Sequence, residues 1–168
     1  MLNYLLTSID KMFPFKKVTA HCDIPCKLYD PISSQLAALS VIRFIDQIDE
    51  IQADTLNDIS SQAKLVRLIN EKEKHAEQVK HHIRVIWGDY FKQPQFEQVT
   101  GIHELAHDIM LAGSACKQSL ERQKALSLLD KVNQFADAFW QTKGVDTYTA
   151  VCPYPPAENV IYPNLRAK

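Results

Sequence analysis

The sequence predicts an all-α fold, an antiparallel up-and-down four-helix bundle, and three observations predict it. Four stretches carry apolar residues at three-four spacing. The connections between them are short, which favours antiparallel neighbours. Only four of 168 residues are glycine, too few for a turn-rich β architecture. The chain is 46% hydrophobic with a net charge of -1, enough apolar material for one core. So balanced a charge gives no electrostatic footprint for nucleic acid. No apolar run approaches the roughly 18 residues that span a bilayer, so neither a membrane nor a nucleic acid is an expected partner.

Residues 1–20 resemble an export signal only superficially. Val18-Thr19-Ala20 looks like a small-residue cleavage site, but the apolar stretch is short and Asp10 interrupts it. Lys11, Lys16 and Lys17 also lie on the wrong side of it. The segment reads as a removable leader, and the location as cytoplasmic.

Asp30-Pro31 marks the first helix start, an N-cap carboxylate followed by Pro at the first helical position. Ala37, Val41, Phe44, Ile45, Ile48 and Ile51 then follow the helical period. Asp54 is the expected cap of a long second helix with Leu65, Leu68, Ile69, Val79, Ile83, Ile86, Trp87 and Tyr90 on one side. It is expected to stop before Pro94. A third helix carries Ile102, Leu105, Ala106, Ile109 and Ala112, with Gly113 as its expected end. The fourth runs through Ala125, Leu128, Leu129, Val132, Phe135, Ala136, Phe139 and Trp140, and Gly144 closes it. From there Pro153, Pro155, Pro156 and Pro163 preclude a regular helix. Tyr148, Tyr154, Ile161 and Tyr162 predict that this tail packs on another surface, a neighbouring subunit being one candidate.

The chemistry lies in His21-Cys22-Asp23-Ile24-Pro25-Cys26-Lys27-Leu28-Tyr29-Asp30-Pro31. One imidazole and two thiolates stand on a loop short enough to wrap a single ion, and Pro25 restricts the backbone between the sulfurs. Thiolates alone suit zinc or copper(I) as well, but three side chains are too few for a closed structural zinc site. Cleavage before His21 adds a fourth donor, an α-amino group with a pKa of about 8. With the deprotonated Cys22 amide it makes a planar N2S2 set, leaving the imidazole as an axial ligand. Square-planar N/S coordination selects nickel(II) or copper(II). Cys116 and Cys152 read as free or structural thiols.

This segment resembles the nickel-binding hook of the nickel superoxide dismutases, His-Cys-Asp-x-Pro-Cys-x-x-Tyr-Asp-Pro, at every fixed position. The resemblance continues at Lys80-His81-His82, Trp87, Asp89-Tyr90-Phe91-Lys92 and Phe139-Trp140-x-Thr142-Lys143. It implies one nickel ion per subunit. His21 would bind through its α-amino nitrogen and imidazole, Cys22 through its amide nitrogen and thiolate, and Cys26 through its thiolate. It further implies a homohexamer of four-helix bundles and a dedicated peptidase that cuts at Ala20-His21. The resulting layout is a leader at 1–20, the hook at 21–31, the bundle at 32–143 and a C-terminal extension at 144–168. The implied reaction disproportionates superoxide to oxygen and hydrogen peroxide by Ni(II)/Ni(III) cycling. Anionic thiolate and amide donors stabilise the higher oxidation state.

Tyr29 and Asp23 are the candidates beside the metal, Tyr29 to gate access and hydrogen-bond small anions, Asp23 to hold the loop backbone. Tyr90 and Lys92 are weaker candidates. Two positions depart from the family. Ala37 and His75 stand where some members have a Glu and an Arg that orient the axial imidazole, and Lys27 stands where Gly is common.

Two rival readings follow from the same residues. His103-Glu104-Leu105-Ala106-His107 matches H-E-x-x-H, the zinc motif of metalloproteases, but both His fall beside the apolar face of their helix and no third ligand follows. A non-enzymatic nickel or copper carrier would share the hook without needing a bundle. His75, His81 and His82 read as solvated or subunit-contact residues rather than a metal cluster.

Overall fold

The computed structural model describes residues 27–51 and 58–165. The expected leader, His21, Cys22, Asp23, Cys26 and the expected cap Asp54 lie outside the described residues. The described chain is mostly helical: α1 Ile32–Asp49, α2 Ile59–Val85, α3 Gln93–Gln98, α4 Ile102–Gln118 and α5 Arg122–Thr142. A π-helical turn, Ile86–Tyr90, extends α2, and a two-stranded sheet, β1 Thr147–Val151 and β2 Asn159–Pro163, follows α5.

α1 starts one residue past its sequence signal, with Pro31 at the N-cap and Ile32 first in the helix. Asp30 Oδ1 accepts the Ile32 amide at 2.8 Å, and the Pro31 carbonyl accepts from Ser34 and Gln35. At α2 the described cap is Asp58, whose Oδ2 accepts the Ser61 amide at 3.0 Å. The expected stop before Pro94 falls slightly early, because α2 ends in the π-turn, closed by Phe91 N–H to Ile86 O at 3.3 Å. Pro94 instead sits in the first turn of α3, a short helix the periodicity did not indicate.

Gly113 does not end its helix. α4 runs on to Gln118, and Gly113 is buried within it. The reason lies across the core: a Cβ on Gly113 would come within 2.9 Å of Lys80 Cγ. The glycine admits the Lys80 stem, and Lys80 Nζ goes on to Ser114 Oγ at 3.1 Å. Gly144 does act as the stop foreseen for α5, at φ +66°.

Helix α1 packs against α2 and α5, and α4 packs against α2 and α5, so the four long helices enclose one core. It contains Ala38, Val41, Ile42, Val79, Ile83, Ile109, Leu128, Val132, Phe135 and Phe139, all fully buried. Each large apolar side chain there contributes about 1.5–3 kcal/mol. Among the described residues Lys72 is the charged exception, a lysine only 2% exposed. Its Nζ donates to the Lys117 and Ser119 carbonyls, each at 3.0 Å. It thus satisfies carbonyls at the C-terminal end of α4. Desolvation by burial lowers its pKa, with the nearby Glu73 carboxylate opposing.

The hairpin amends the all-α expectation. Its strands are antiparallel, with Thr149 opposite Ile161, and its β-branched and aromatic residues suit a pleated, half-buried ribbon. The tail packs on its own helices. Gln35 Nε2 donates to the Ile161 carbonyl at 2.8 Å, the Asn133 side chain bonds both Ile161 N–H and Asn159 O, and Val160 is buried. Arg122 bridges Asp46 of α1 and Glu158 of the tail, each at 2.7 Å. Among the described residues no helix is long and apolar enough to cross a membrane.

Gly113 gives a test by sign. In an ordinary helix interior Gly→Ala gains about 1 kcal/mol. Here the added methyl meets Lys80, so Gly113→Ala should lose about 1 kcal/mol through overpacking. Thermal denaturation would show a lowered Tm. A raised Tm would mean that Lys80 is not confined by this contact.

Candidate metal centre and its surroundings

The described chain enters the candidate site at Lys27. Its backbone has φ +72°, a left-handed conformation that costs a residue with a Cβ about 1–2 kcal/mol and glycine nothing. A sharp left-handed step therefore precedes Tyr29. A glycine would take this conformation without strain, and the chain instead places an exposed ammonium-bearing residue there. After the step, the Asp30 cap fixes the direction in which residues 27–29 leave α1.

Tyr29 is half-buried and meets Tyr90 with ring centroids 5.8 Å apart and planes tilted by 52°. Tyr90 comes from the π-turn, whose extra residue rotates the end of α2 so that Tyr90 and Phe91 both turn inward. Tyr90 packs at 4.8 Å on Phe139, and Phe91 at 5.6 Å on Phe135. Lys143 Nζ lies 4.3 Å from the Tyr90 ring centre, a cation–π contact from just past the end of α5. The Tyr90 hydroxyl is 2.7 Å from Thr142 Oγ1. Aromatic pairs of this kind contribute about 0.5–1.5 kcal/mol each beyond burial.

A cavity of about 390 Å³ opens beside Tyr29, lined by Tyr29, Asp30, Ser33, His81, His82 and Ile86 among others. The His81 and His82 rings are 5.5 Å apart. His81 is exposed and His82 half-buried. Burial, and secondarily the neighbouring His81, hold the His82 imidazole below its usual pKa. His75 lies elsewhere on α2. It donates Nδ1–H to the Glu71 carbonyl at 2.7 Å and packs on Phe44 at 5.1 Å. Ala37 is buried in the core and has no polar atom. The altered pair therefore offers no tether built on Ala37. Lys92 is exposed, with its Nζ donating to Gly88 O at 2.8 Å.

The H-E-x-x-H reading finds no support in this arrangement. His103 and His107 are exposed, as their phase on the helix predicts. The Trp87 indole, which can only donate, gives its N–H to His103 Nδ1 at 3.1 Å. With this bond made, neutral His103 carries its proton on Nε2, and ligation through Nε2 would need the other tautomer and the loss of the Trp87 bond. Among the described residues no three His, Cys, Asp or Glu stand close enough to hold a metal ion. Cys116 and Cys152 are free and buried. Burial pushes the Cys116 thiol up to about 11, and Cys152 donates to Tyr154 O. Both behave as core residues.

Residues 16–143 match the family model described as nickel-containing superoxide dismutase. The chain is 39% identical over 130 residues to superoxide dismutase [Ni] of Streptomyces seoulensis, covering 77% of this chain and 93% of that protein. It is 38% identical to superoxide dismutase [Ni] of Streptomyces coelicolor over the same length. A native nickel superoxide dismutase structure superposes with a TM-score of 0.63 at 36% identity, covering 73% of this chain and 99% of that one. One with its nickel ligation in the oxidised state gives 0.64 at 35% identity. The hairpin lies beyond the matched residues.

The depressed pKa of His82 has a consequence for stability. Near pH 6.5 the unfolded chain takes up a proton at this position that the folded chain resists. The stabilisation from keeping it neutral is present above that pH and is lost as pH falls through it toward the folded pKa. His82→Gln should therefore flatten the fall in Tm on the acid side of pH 6.5. An unchanged slope would mean that other groups set it.

Proposed function

The chain belongs to the nickel-containing superoxide dismutase family, and from that premise we propose how its residues carry the activity. The reaction is the disproportionation of superoxide to oxygen and hydrogen peroxide, with nickel as the cofactor. The observation that supports the site assignment is the complete run His21-Cys22-Asp23-x-Pro25-Cys26-x-x-Tyr29-Asp30-Pro31, whose last three positions join a described aromatic and helix-capping framework.

The donor set fits the metal. Two thiolates with nitrogen donors from a backbone amide and an α-amine make the four-donor N/S set that suits nickel(II), and the His21 imidazole would be a fifth donor. His21, Cys22 and Cys26 would hold it. When bound, nickel supplies the one-electron redox chemistry that alternately oxidises and reduces superoxide. The protein's own residues do the rest. Tyr29 stands at the mouth of the segment as gate and hydrogen-bonding group for small anions, braced by Tyr90. Asp23 holds the loop backbone. The ammonium groups of Lys27, Lys92 and Lys143 raise the local concentration of an anionic substrate.

The reading includes removal of residues 1–20 by a leader-processing peptidase, since only then does His21 present an α-amine. It also includes an antiparallel up-and-down four-helix bundle over 32–143 that carries the hook, assembly as a homohexamer, and a cytoplasmic location. Family resemblance supports the hexamer and the peptidase. The pairwise packing of α1, α2, α4 and α5 supports the bundle. The poor match of residues 1–20 to an export signal supports the location.

Elemental analysis of protein whose mass shows that it begins at His21 tests the assignment. The expected result is about one nickel per chain, absent from the uncut precursor and lost in Cys22→Ser and Cys26→Ser, with superoxide turnover only in the loaded form. Zinc, or no metal, in correctly processed protein would overturn it. Nickel without turnover would favour the carrier.

A further inference from the structure

We propose that the outer edge of β1, Thr147–Val151, is a self-association surface. It takes the same strand of a second copy of this chain, antiparallel and centred on Thr149. The hairpin lies beyond the residues that match the family, and nothing in its edge depends on nickel.

The hydrogen-bond phase of the hairpin decides which backbone groups face outward. In an antiparallel pair, opposed residues alternate between those that exchange bonds and those that do not. Cys152 N–H donates to Glu158 O at 3.0 Å, and Asn164 N–H to Asp146 O at 2.7 Å. Carried through the register, these bonds make the even-numbered positions of β1 the ones bonded to β2. Thr147, Thr149 and Val151 therefore turn their N–H and C=O groups away from β2. Asn159, Ile161 and Pro163 face outward on the other side of the ribbon.

The two outer edges differ. On β2, Ile161 N–H goes to Asn133 Oδ1 at 3.2 Å, Ile161 O accepts from Gln35 at 2.8 Å, and Asn159 O accepts from Asn133 at 3.0 Å. Pro163 has no N–H to offer. The protein's own side chains thus close that edge. On β1, among the described residues, no hydrogen bond reaches the backbone of Thr147, Thr149 or Val151. Thr147 donates only through its side chain, to Asp137 Oδ1. Bare edges are ordinarily blunted by Lys, Pro or a bulge, and β1 contains no Lys and no Pro. No charged side chain occurs from Thr147 to Ala157, and Tyr148 and Val151 are 52% and 58% exposed.

The order of residues fits a second copy in particular. Centred on Thr149, the pairing sets Thr147 of one copy opposite Val151 of the other, two β-branched residues. Tyr148 falls opposite Ala150, a large side chain against a small one. Asp146 falls opposite Cys152, not opposite another carboxylate, so no like charges meet. The contact is isologous, the two-fold form that closes on itself.

Two readouts on the full chain test this. Residue-resolved hydrogen exchange should find the Thr147, Thr149 and Val151 amides slowed about 10-fold or more. The Tyr148 and Cys152 amides, bonded within the hairpin, report whether the ribbon itself is intact. Thr149→Pro removes one outward N–H and no hairpin bond. Thr149→Lys keeps that N–H but sets two ammonium groups against each other across the axis. With Tyr148 and Cys152 still protected, both variants should free the Thr147 and Val151 amides and lower the particle mass in sedimentation about twofold. Rapid exchange at the three outward amides of the wild type would overturn the proposal, as would a particle mass that neither variant changes. Protection of those amides in a wild type of monomeric mass would also overturn it, since something other than a second copy would then hold the edge.

Discussion

The contact between the Tyr29 and Tyr90 rings ties a segment without regular structure to a core that has a surplus of it. Residues 27–30 contribute no helix and no strand, so their position depends on what Tyr29 touches and on the Asp30 cap. Tyr90 in turn depends on a departure from α-helical geometry. An α-helix continued through Ile86 would carry Tyr90 and Phe91 round by about 100° per residue. The π-turn inserts one residue into that count and ends with Phe91 in extended backbone, so that adjacent residues both pack on α5. π-turns of this kind recur at functional positions. Here its effect is to bring the end of α2 and the end of α5 to the same place.

The tail stabilises that arrangement from the opposite side. Gln35 is buried and polar. Its amide is satisfied by Asn133 Oδ1 at 3.1 Å and by Ile161 O at 2.8 Å. The hairpin therefore supplies the acceptor for a buried donor on α1 as well as the apolar side chain of Val160. A buried donor left unmatched costs about 1–3 kcal/mol, which makes the extension part of the α1–α5 interface. Lys72 plays the corresponding role at the end of α4, where two carbonyls without helical partners receive one ammonium.

What could be read from the sequence was what is local. Asp30-Pro31 sets its helix start within a few residues, and the α5 stripe from Ala125 to Phe139 declares its buried face by spacing alone. Gly113 misled because its reason is long-range. A glycine near the end of a periodic run reads as a stop, and nothing nearby reveals that Lys80 passes over it. The hairpin was hidden by its prolines, which exclude helix without specifying strand, and by anchors on residues as distant as Gln35. Of the proposed site, the run from His21 to Cys26 rests on the sequence, whose order carries the chemistry, and only Tyr29 has a described place in the fold. Lys27 was visible as a departure from a common glycine, but its left-handed backbone was not. The Trp87 hydrogen bond to His103 depends on a direction that no spacing encodes.

Metal binding and folding are separable in this architecture. A zinc finger has no core without its ion, so binding free energy is folding free energy. Here the buried apolar residues from Ala37 to Val160 form a continuous core, supplied by helices and a hairpin that contain none of His21, Cys22 and Cys26. The proposed ligands precede the first helix in sequence, so the donor set would be completed without rebuilding the helical core. In the proposed reading one of those donors, the α-amine, would form only when the peptide bond before His21 is cut. On that reading the chain would fold first and become competent for nickel second, with the packing of Tyr90, Phe139 and Lys143 already in place. That order suits the chemistry. Thiolates that face superoxide and peroxide are open to oxidation, and a framework formed in advance shortens the time they stand without the metal that their anionic charge is there to bind.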